Sequence, residues 1–358
     1  MTALPVIQMY KAAAALISKS GLAQICAPFT GGMGTIFTLH RIKPSGGPTD
    51  GTGFQPNYHL AVTPEFLDRV LSRVKESGFE IISLTETVKR LKSGVSERPF
   101  CTFTFDDGYL DNIEYALPIF RKHDAPMTVF VCTDLIDGTA ILWWEILEAV
   151  LVKHDSVEFE IDSEIRHFET VDIAGKAEAA RVISNQFRTS PNETAARAQF
   201  LRFAEKYGVD PGAICRAIGA DWSALKKAAK DPLFHVGGHT VSHPILSRLS
   251  PEDVRQEIEQ GRSRLQSELD IFVEHFAYPY GDEAACGRRE FDIVAEMGFK
   301  SAVTTRPGVL MPSHGQAPWA LPRASLNGHY QNDAMVDSLA SGVPFFVANG
   351  FRRIPAVA

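Results

Sequence analysis

Four residues of this 358-residue chain have types and spacing that point to chemistry. His239 and His243 stand in Gly238-His239-Thr240-Val241-Ser242-His243-Pro244, and Asp106 and Asp107 in Thr104-Phe105-Asp106-Asp107-Gly108. Two imidazoles four residues apart are expected on one side of a helical turn, where both reach one metal ion. The aspartates follow the apolar, β-favouring run Phe100-Cys101-Thr102-Phe103-Thr104-Phe105 and are closed by a glycine. That places two carboxylates at a strand end, where parallel α/β folds build their sites. One carboxylate and two histidines would complete a catalytic metal shell with open positions, leaving the other carboxylate free to move protons. Alone, either element is ordinary: Asp-Asp-Gly commonly makes a turn, and a lone His-x-x-x-His is commonly no ligand pair. Together each supplies what the other lacks.

The wider wording is more specific. Thr104-Phe105-Asp106-Asp107-Gly108-Tyr109-Leu110-Asp111-Asn112 and His239-Thr240-Val241-Ser242-His243-Pro244 resemble the first two motifs of the NodB-like polysaccharide deacetylases, carbohydrate esterase family 4. Phe276-Ala277-Tyr278-Pro279-Tyr280-Gly281 resembles the third, in the right order. The resemblance implies Asp107, His239 and His243 as ligands of a divalent metal, with zinc the best match to their chemistry. Cobalt, nickel or iron would suit the same donors. It implies Asp106 as general base; spacing alone allows the two aspartates to exchange roles. Tyr280 matches the position whose backbone N–H serves the oxyanion. Two departures stand out. Ala277 occupies the position where many relatives carry a base-orienting arginine, and Arg323, in Leu321-Pro322-Arg323, is a candidate to supply that guanidinium. The family's Leu-x-x-His-Asp motif is absent, and His314 and His329 lack its flanks. Thr38-Leu39-His40-Arg41 is instead similar to the opening strand of the circularly permuted exopolysaccharide deacetylases, so His40 is expected to be the general acid. Asp111 and Asn112 are expected to cap the helix that follows. Trp143-Trp144 is either a core pair or a platform for a sugar face.

These residues need a scaffold, and the pattern supplies one. Strand-like runs at 35–39, 79–83, 100–105 and 127–132 alternate with helical periodicity at 64–77, 84–91 and 113–123. Thr63-Pro64 reads as an N-cap followed by proline at the first helical position. The rhythm breaks after Gly138, turns mostly helical to Lys230 apart from a strand signal at 157–161, and resumes at 234–238, 272–278 and 299–304. The expected fold is α/β: an incomplete (β/α)7-type barrel with a mostly helical insertion, the strand count coming from the resemblance. The expected organisation is an N-terminal helical segment over 1–34, a barrel over 35–139 and 231–330, the insertion over 140–230, and a C-terminal tail over 331–358.

Hydrophobic content of 45% and charged content of 22% suit a soluble protein. A net charge of -7 without a long basic run argues against nucleic acid as a partner. Cys26, Cys101, Cys132, Cys215 and Cys286 are scattered and odd in number, which fits packed thiols in a reducing compartment. Residues 12–25 are apolar but interrupted by Ser18-Lys19-Ser20-Gly21, and read as an amphipathic helix rather than an export signal. Cytoplasmic residence is therefore expected, with the inner membrane face and peripheral contact through that helix as the variant. The expected substrate is an N-acylated sugar polymer or glycolipid, cleaved by metal-activated water. The rivals are a deformylase or deacetylase of a lipid-linked sugar, an O-acetyl esterase, and a non-catalytic carbohydrate-binding protein on the same fold.

Overall fold

The structure, a computed structural model, describes Cys26, residues 29–44 and residues 53–350. The helix expected over 12–25 lies outside the described residues. The chain lays down β1 (Gly34–Leu39), β2 (Arg41–Ile42), β3 (Ala61–Val62), α1 (Pro64–Glu76), β4 (Glu80–Ile81), α2 (Leu84–Ser93) and β5 (Phe100–Phe105). A π-helical turn, Asn112–Ala116, leads into α3 (Leu117–Lys122), then β6 (Met127–Val131) and α4 (Thr133–Asp137). Thr63 accepts the Phe66 N–H at 3.1 Å, and Pro64 opens α1, as its residue types predict.

The next stretch holds α5 (Trp143–Lys153), β7 (Ser156–Ile161), β8 (Glu164–Glu169), α6 (Ile173–Thr189), α7 (Glu193–Lys206), α8 (Pro211–Ile218) and α9 (Trp222–Ala228). It is mostly helical, with one antiparallel hairpin pairing Ser156 with Glu169 through Ile161 with Glu164. β8 is Glu-Ile-Arg-His-Phe-Glu, of which only Phe168 is buried, so its sequence carries little strand signal. β9 (Phe234–Gly238), α10 (Pro251–Leu269), β10 (His275–Ala277), α11 (Arg288–Glu296), β11 (Ser301–Pro307), β12 (Leu321–Ser325), α12 (Asp333–Ser341) and α13 (Val343–Ala348) complete the fold. The segment read as a tail is thus helical to Ala348. Met335, Val336, Leu339 and Phe345 bury in the main core, and Arg73 pairs with Asp337 at 2.8 Å.

Seven strands run in the order β1-β12-β11-β10-β9-β6-β5, and β1 pairs again with β5 to close a barrel, with β4 added on β5. Every pairing in it is parallel. Strand alternation then decides what faces the lumen. Cys101, Phe103 and Phe105 pack outward among α1 and α3. Thr104, two residues before Asp106, meets Arg323 inside. Leu321 and Arg323 share the inner face of β12, whereas Ala324 joins the outer core. Period two therefore brings Asp106 and Arg323 together at the C-terminal rim of the barrel. The insertion has its own core around Trp143, Ile183, Phe187, Phe200 and Phe203, and that core includes Ile245 and Ala285 from barrel loops. Among the described residues no helix is long and apolar enough to cross a membrane.

Candidate active site

Asp107, His239 and His243 converge beyond β5 and β9, all buried, with their ligand atoms within 4.8 Å of one another. Asp107 Oδ1 lies 3.3 Å from His239 Nε2 and 3.4 Å from His243 Nε2. Burial pushes the Asp107 carboxyl up, but hydrogen bonds and charge from the two imidazoles outweigh it and hold it well below its ordinary 3.8. His239 Nδ1 meets the Ala277 carbonyl at 2.7 Å; a carbonyl only accepts, so Nδ1 carries the proton and Nε2 keeps its lone pair for the site. Two imidazole nitrogens and one carboxylate, with no fourth protein donor in the cluster among the described residues, fit a divalent cation with open positions.

The helical turn expected for the two histidines does not form. Residues 239–245 are a loop, with Thr240 at φ 64° and His243 at φ 58°. Pro244 disfavours the right-handed helical region for His243, so the chain reverses through left-handed backbone instead. The four-residue spacing brings the rings together all the same, with centroids 5.0 Å apart.

Asp106 is ligated differently. Arg323 Nη1 and Nη2 donate to its two carboxylate oxygens at 2.8 and 2.6 Å, while Arg323 Nε donates to the Thr304 carbonyl at 2.7 Å. Both side chains are buried. Burial pushes the Asp106 carboxyl up, and the charge and paired hydrogen bonds of Arg323 overcome that, leaving it below its ordinary value. The guanidinium missing at Ala277 therefore reaches Asp106 from β12.

His40 follows β1, its Nε2 4.0 Å from Asp106 Oδ2. Asp111 and Asn112 do not cap the next helix. Asp111 accepts from Arg41 Nε at 2.7 Å and from the Ile42 N–H at 3.1 Å, and Asn112 Nδ2 donates to the His40 carbonyl at 2.8 Å. The chain after Asp111 turns as a π-helix, which opens the geometry a cap needs, and both side chains grip the backbone around His40 instead. Tyr280 sits at φ 61°; Thr305 Oγ1 donates to its carbonyl at 2.6 Å, and its own N–H donates to no protein group among the described residues. A non-glycine residue in left-handed backbone is costly and survives where surroundings fix it.

A cavity of about 510 Å³ joins these groups, reaching from His40, Asp106 and Asp107 to the insertion's Trp144 and Arg188. Both tryptophans line the cavity: Trp143, buried, stacks on Phe187 and donates to the Tyr280 hydroxyl at 2.9 Å, and the Trp144 ring lies 5.4 Å from His243. His59 also lines it, and nothing around it in the sequence marks it as a site residue. Burial lowers its pKa to about 4, so it is neutral near pH 7, with Nδ1 facing the Pro56 carbonyl at 3.1 Å. The described cysteines are free thiols, and all but Cys26 are buried.

The polysaccharide deacetylase family profile matches residues 93–161 and 189–302, which excludes His40 and Arg323. No curated protein sequence matches the chain. Among solved structures, the Streptococcus pyogenes deacetylase PplD in complex with acetate is 20% identical with a TM-score of 0.53, covering 82% of this chain and 92% of its own. IcaB from Ammonifex degensii is 17% identical, TM-score 0.54, covering 87% and 98%. A de-N-acetylase from Aggregatibacter actinomycetemcomitans is 10% identical, TM-score 0.54, covering 86% and 99%. At these identities the likeness is one of fold.

Proposed function

Since the chain belongs to the polysaccharide deacetylase family, hydrolases of carbon–nitrogen bonds, we propose that it removes N-acetyl groups from an amino-sugar polymer or glycolipid. The observation that carries this is the separate provision for two carboxylates on adjacent residues. Asp107 faces two histidines, while Asp106 is held ionised by a buried guanidinium. Asp107, His239 and His243 would hold the metal, zinc being best suited to these donors. When bound, it supplies Lewis acidity and an acidified water for attack on the amide carbonyl.

The protein groups divide the remaining work. Asp106 takes the proton of the attacking water at its carboxylate, and Arg323 keeps that carboxylate charged and aimed. The Tyr280 N–H donates to the oxygen of the former carbonyl as charge develops there, a fixed dipole that needs no reorganisation. His40 delivers a proton to the departing nitrogen, a task suited to imidazole. Acetate and a free amine leave. Trp144 and His59 bound the space a sugar ring would fill, one offering an apolar face and the other a neutral imidazole.

The test is acetate release from N-acetylglucosamine oligomers by the wild type, Asp106→Asn and His40→Ala. Acetate from the wild type alone supports both proton-transfer roles. Equal release by Asp106→Asn removes it as the base. Release of formate from N-formylated or lipid-linked sugars, with none from the oligomers, moves the assignment to the lipid-linked deformylase reading.

A further inference from the structure

His239 and His243 are not held alike. His239 has the carbonyl partner that orients a ligand imidazole, whereas His243 Nδ1 is buried and bonds to no protein group among the described residues. Its loop also carries the backbone cost of Thr240 and His243 in left-handed conformations. Something must over-determine this loop, and the contacts around it identify what does.

Two carboxylates and one guanidinium, from two different helices, grip residues 241–245. From the barrel helix α10, Glu257 Oε2 accepts the Val241 and Ser242 N–H groups, each at 3.0 Å, and Oε1 accepts the Ser242 hydroxyl at 2.8 Å. Gly261, one turn on, permits that approach: a Cβ there would lie 2.9 Å from the Thr240 carbonyl oxygen. From the insertion helix α7, Arg197 Nη2 donates to the His243 carbonyl at 2.7 Å. Glu193 Oε2 accepts the Ile245 N–H at 2.8 Å, and its Oε1 takes both Arg197 Nε and Nη2, at 2.9 and 2.7 Å. Glu193 and Arg197 thus straddle Pro244, which has no N–H of its own. The insertion also places the Trp144 ring against His243, and its apolar core takes in Ile245.

We infer that Glu193 and Arg197 of the helical insertion are positioning residues for the metal centre, fixing His243 through its backbone because its Nδ1 has no hydrogen-bonding partner among the described residues to orient the ring. This rests on the proposal that His243 is a metal ligand. The insertion would then be part of the site's frame as well as a wall of the cleft. Loss of groups that orient a metal ligand costs about 10–100-fold in metal affinity.

The test is zinc affinity by chelator competition on the purified full chain, with the absorption spectrum of the cobalt-substituted protein as a second readout. Arg197→Ala is expected to bind zinc about 10–100-fold more weakly and to change the cobalt ligand-field bands. Arg197→Lys, which keeps one donor for the His243 carbonyl, recovers part of that loss. Lys206→Ala, an exposed position on the same helix, leaves affinity and spectrum unchanged. Glu193→Gln keeps the shape of the side chain and decides the matter if Arg197→Ala does not fold. A folded Arg197→Ala or Glu193→Gln with wild-type affinity and an unchanged cobalt spectrum overturns the clamp while the metal reading stands. A wild-type chain that binds neither ion overturns both.

Discussion

Replacing Arg323 by methionine isolates what holds the base. Methionine fills much of the vacated volume but removes the charge and all the donors, so the loss is electrostatic rather than a cavity. The wild-type pair is bidentate, at 2.6 and 2.8 Å, with both partners buried. Removing one partner of such a pair strands the other charge and costs about 3–5 kcal/mol. Burial, the largest influence on Asp106, persists in the variant and is then opposed only by the smaller charge effects of His239 and His40, so its pKa shift is expected to reverse from downward to upward. In the wild type the depressed carboxyl contributes stability above its unfolded value, lost as pH falls through the folded one. In Arg323→Met the raised carboxyl makes acidification stabilising instead, because the buried group is then neutral. Urea unfolding at several pH values reads this directly, and the acid limb of kcat/KM for acetate release should move to higher pH. At neutral pH the rate should fall by about 10²–10⁴-fold, the usual share of a general base. Asp106→Asn/Arg323→Met should be more stable than Arg323→Met alone, since it removes the stranded charge. A variant within about 0.5 kcal/mol of the wild type, the range of an ordinary surface substitution, with an unmoved acid limb, would show that Arg323 does not hold Asp106 ionised.

Burial, with the neighbouring Glu145 carboxylate, raises Glu148 from its ordinary 4.5 to about 7. Its folded form keeps a proton that the unfolded chain gives up, so it lowers stability progressively between pH 4.5 and about 7 and costs nothing below that window. Glu148→Gln should therefore gain about 1–3 kcal/mol at pH 8 and nothing at pH 4, as measured by urea unfolding; an equal gain at both would exclude this origin. Asn112→Ala removes the donor on the His40 carbonyl, and steady-state kinetics should show kcat reduced about tenfold with KM little changed, for a lost hydrogen bond of about 1–1.5 kcal/mol. A change in KM alone would place Asn112 outside the positioning of His40.

Local signals carried the scaffold well where an element has a repeating face. Thr63-Pro64 and the apolar spacing of Phe66, Leu67, Val70, Leu71 and Val74 specify α1 with no help from the rest of the chain. The Phe100–Phe105 run led to a strand ending on the aspartate pair because its outer face carries Cys101, Phe103 and Phe105 and its inner face Phe100, Thr102 and Thr104, all β-compatible. What escaped was set by contacts far apart in sequence. β12 holds a proline and a buried arginine, so nothing local marks it as a barrel strand; only Asp106, 217 residues away, gives Arg323 its purpose. Asp111 and Asn112 read as caps because their residue types cap, yet their partners are Arg41, Ile42 and the His40 carbonyl. The histidine spacing implied proximity correctly and conformation wrongly, since Pro244 turned a helical repeat into a left-handed loop. The grip of Glu193, Arg197 and Glu257 on that loop crosses between elements and left no trace in the spacing.

The central claim is that Asp107, His239 and His243 form one metal site on which deacetylation depends. The most direct measurement is metal stoichiometry by elemental analysis, coupled to acetate release from N-acetylglucosamine oligomers before chelation, after chelation and after zinc is restored. One ion per wild-type chain is expected, with acetate release that disappears with the ion and returns with it, and no tight binding by His239→Ala. Acetate release that persists in the stripped protein, or a folded wild-type chain that takes up no ion, would contradict that claim.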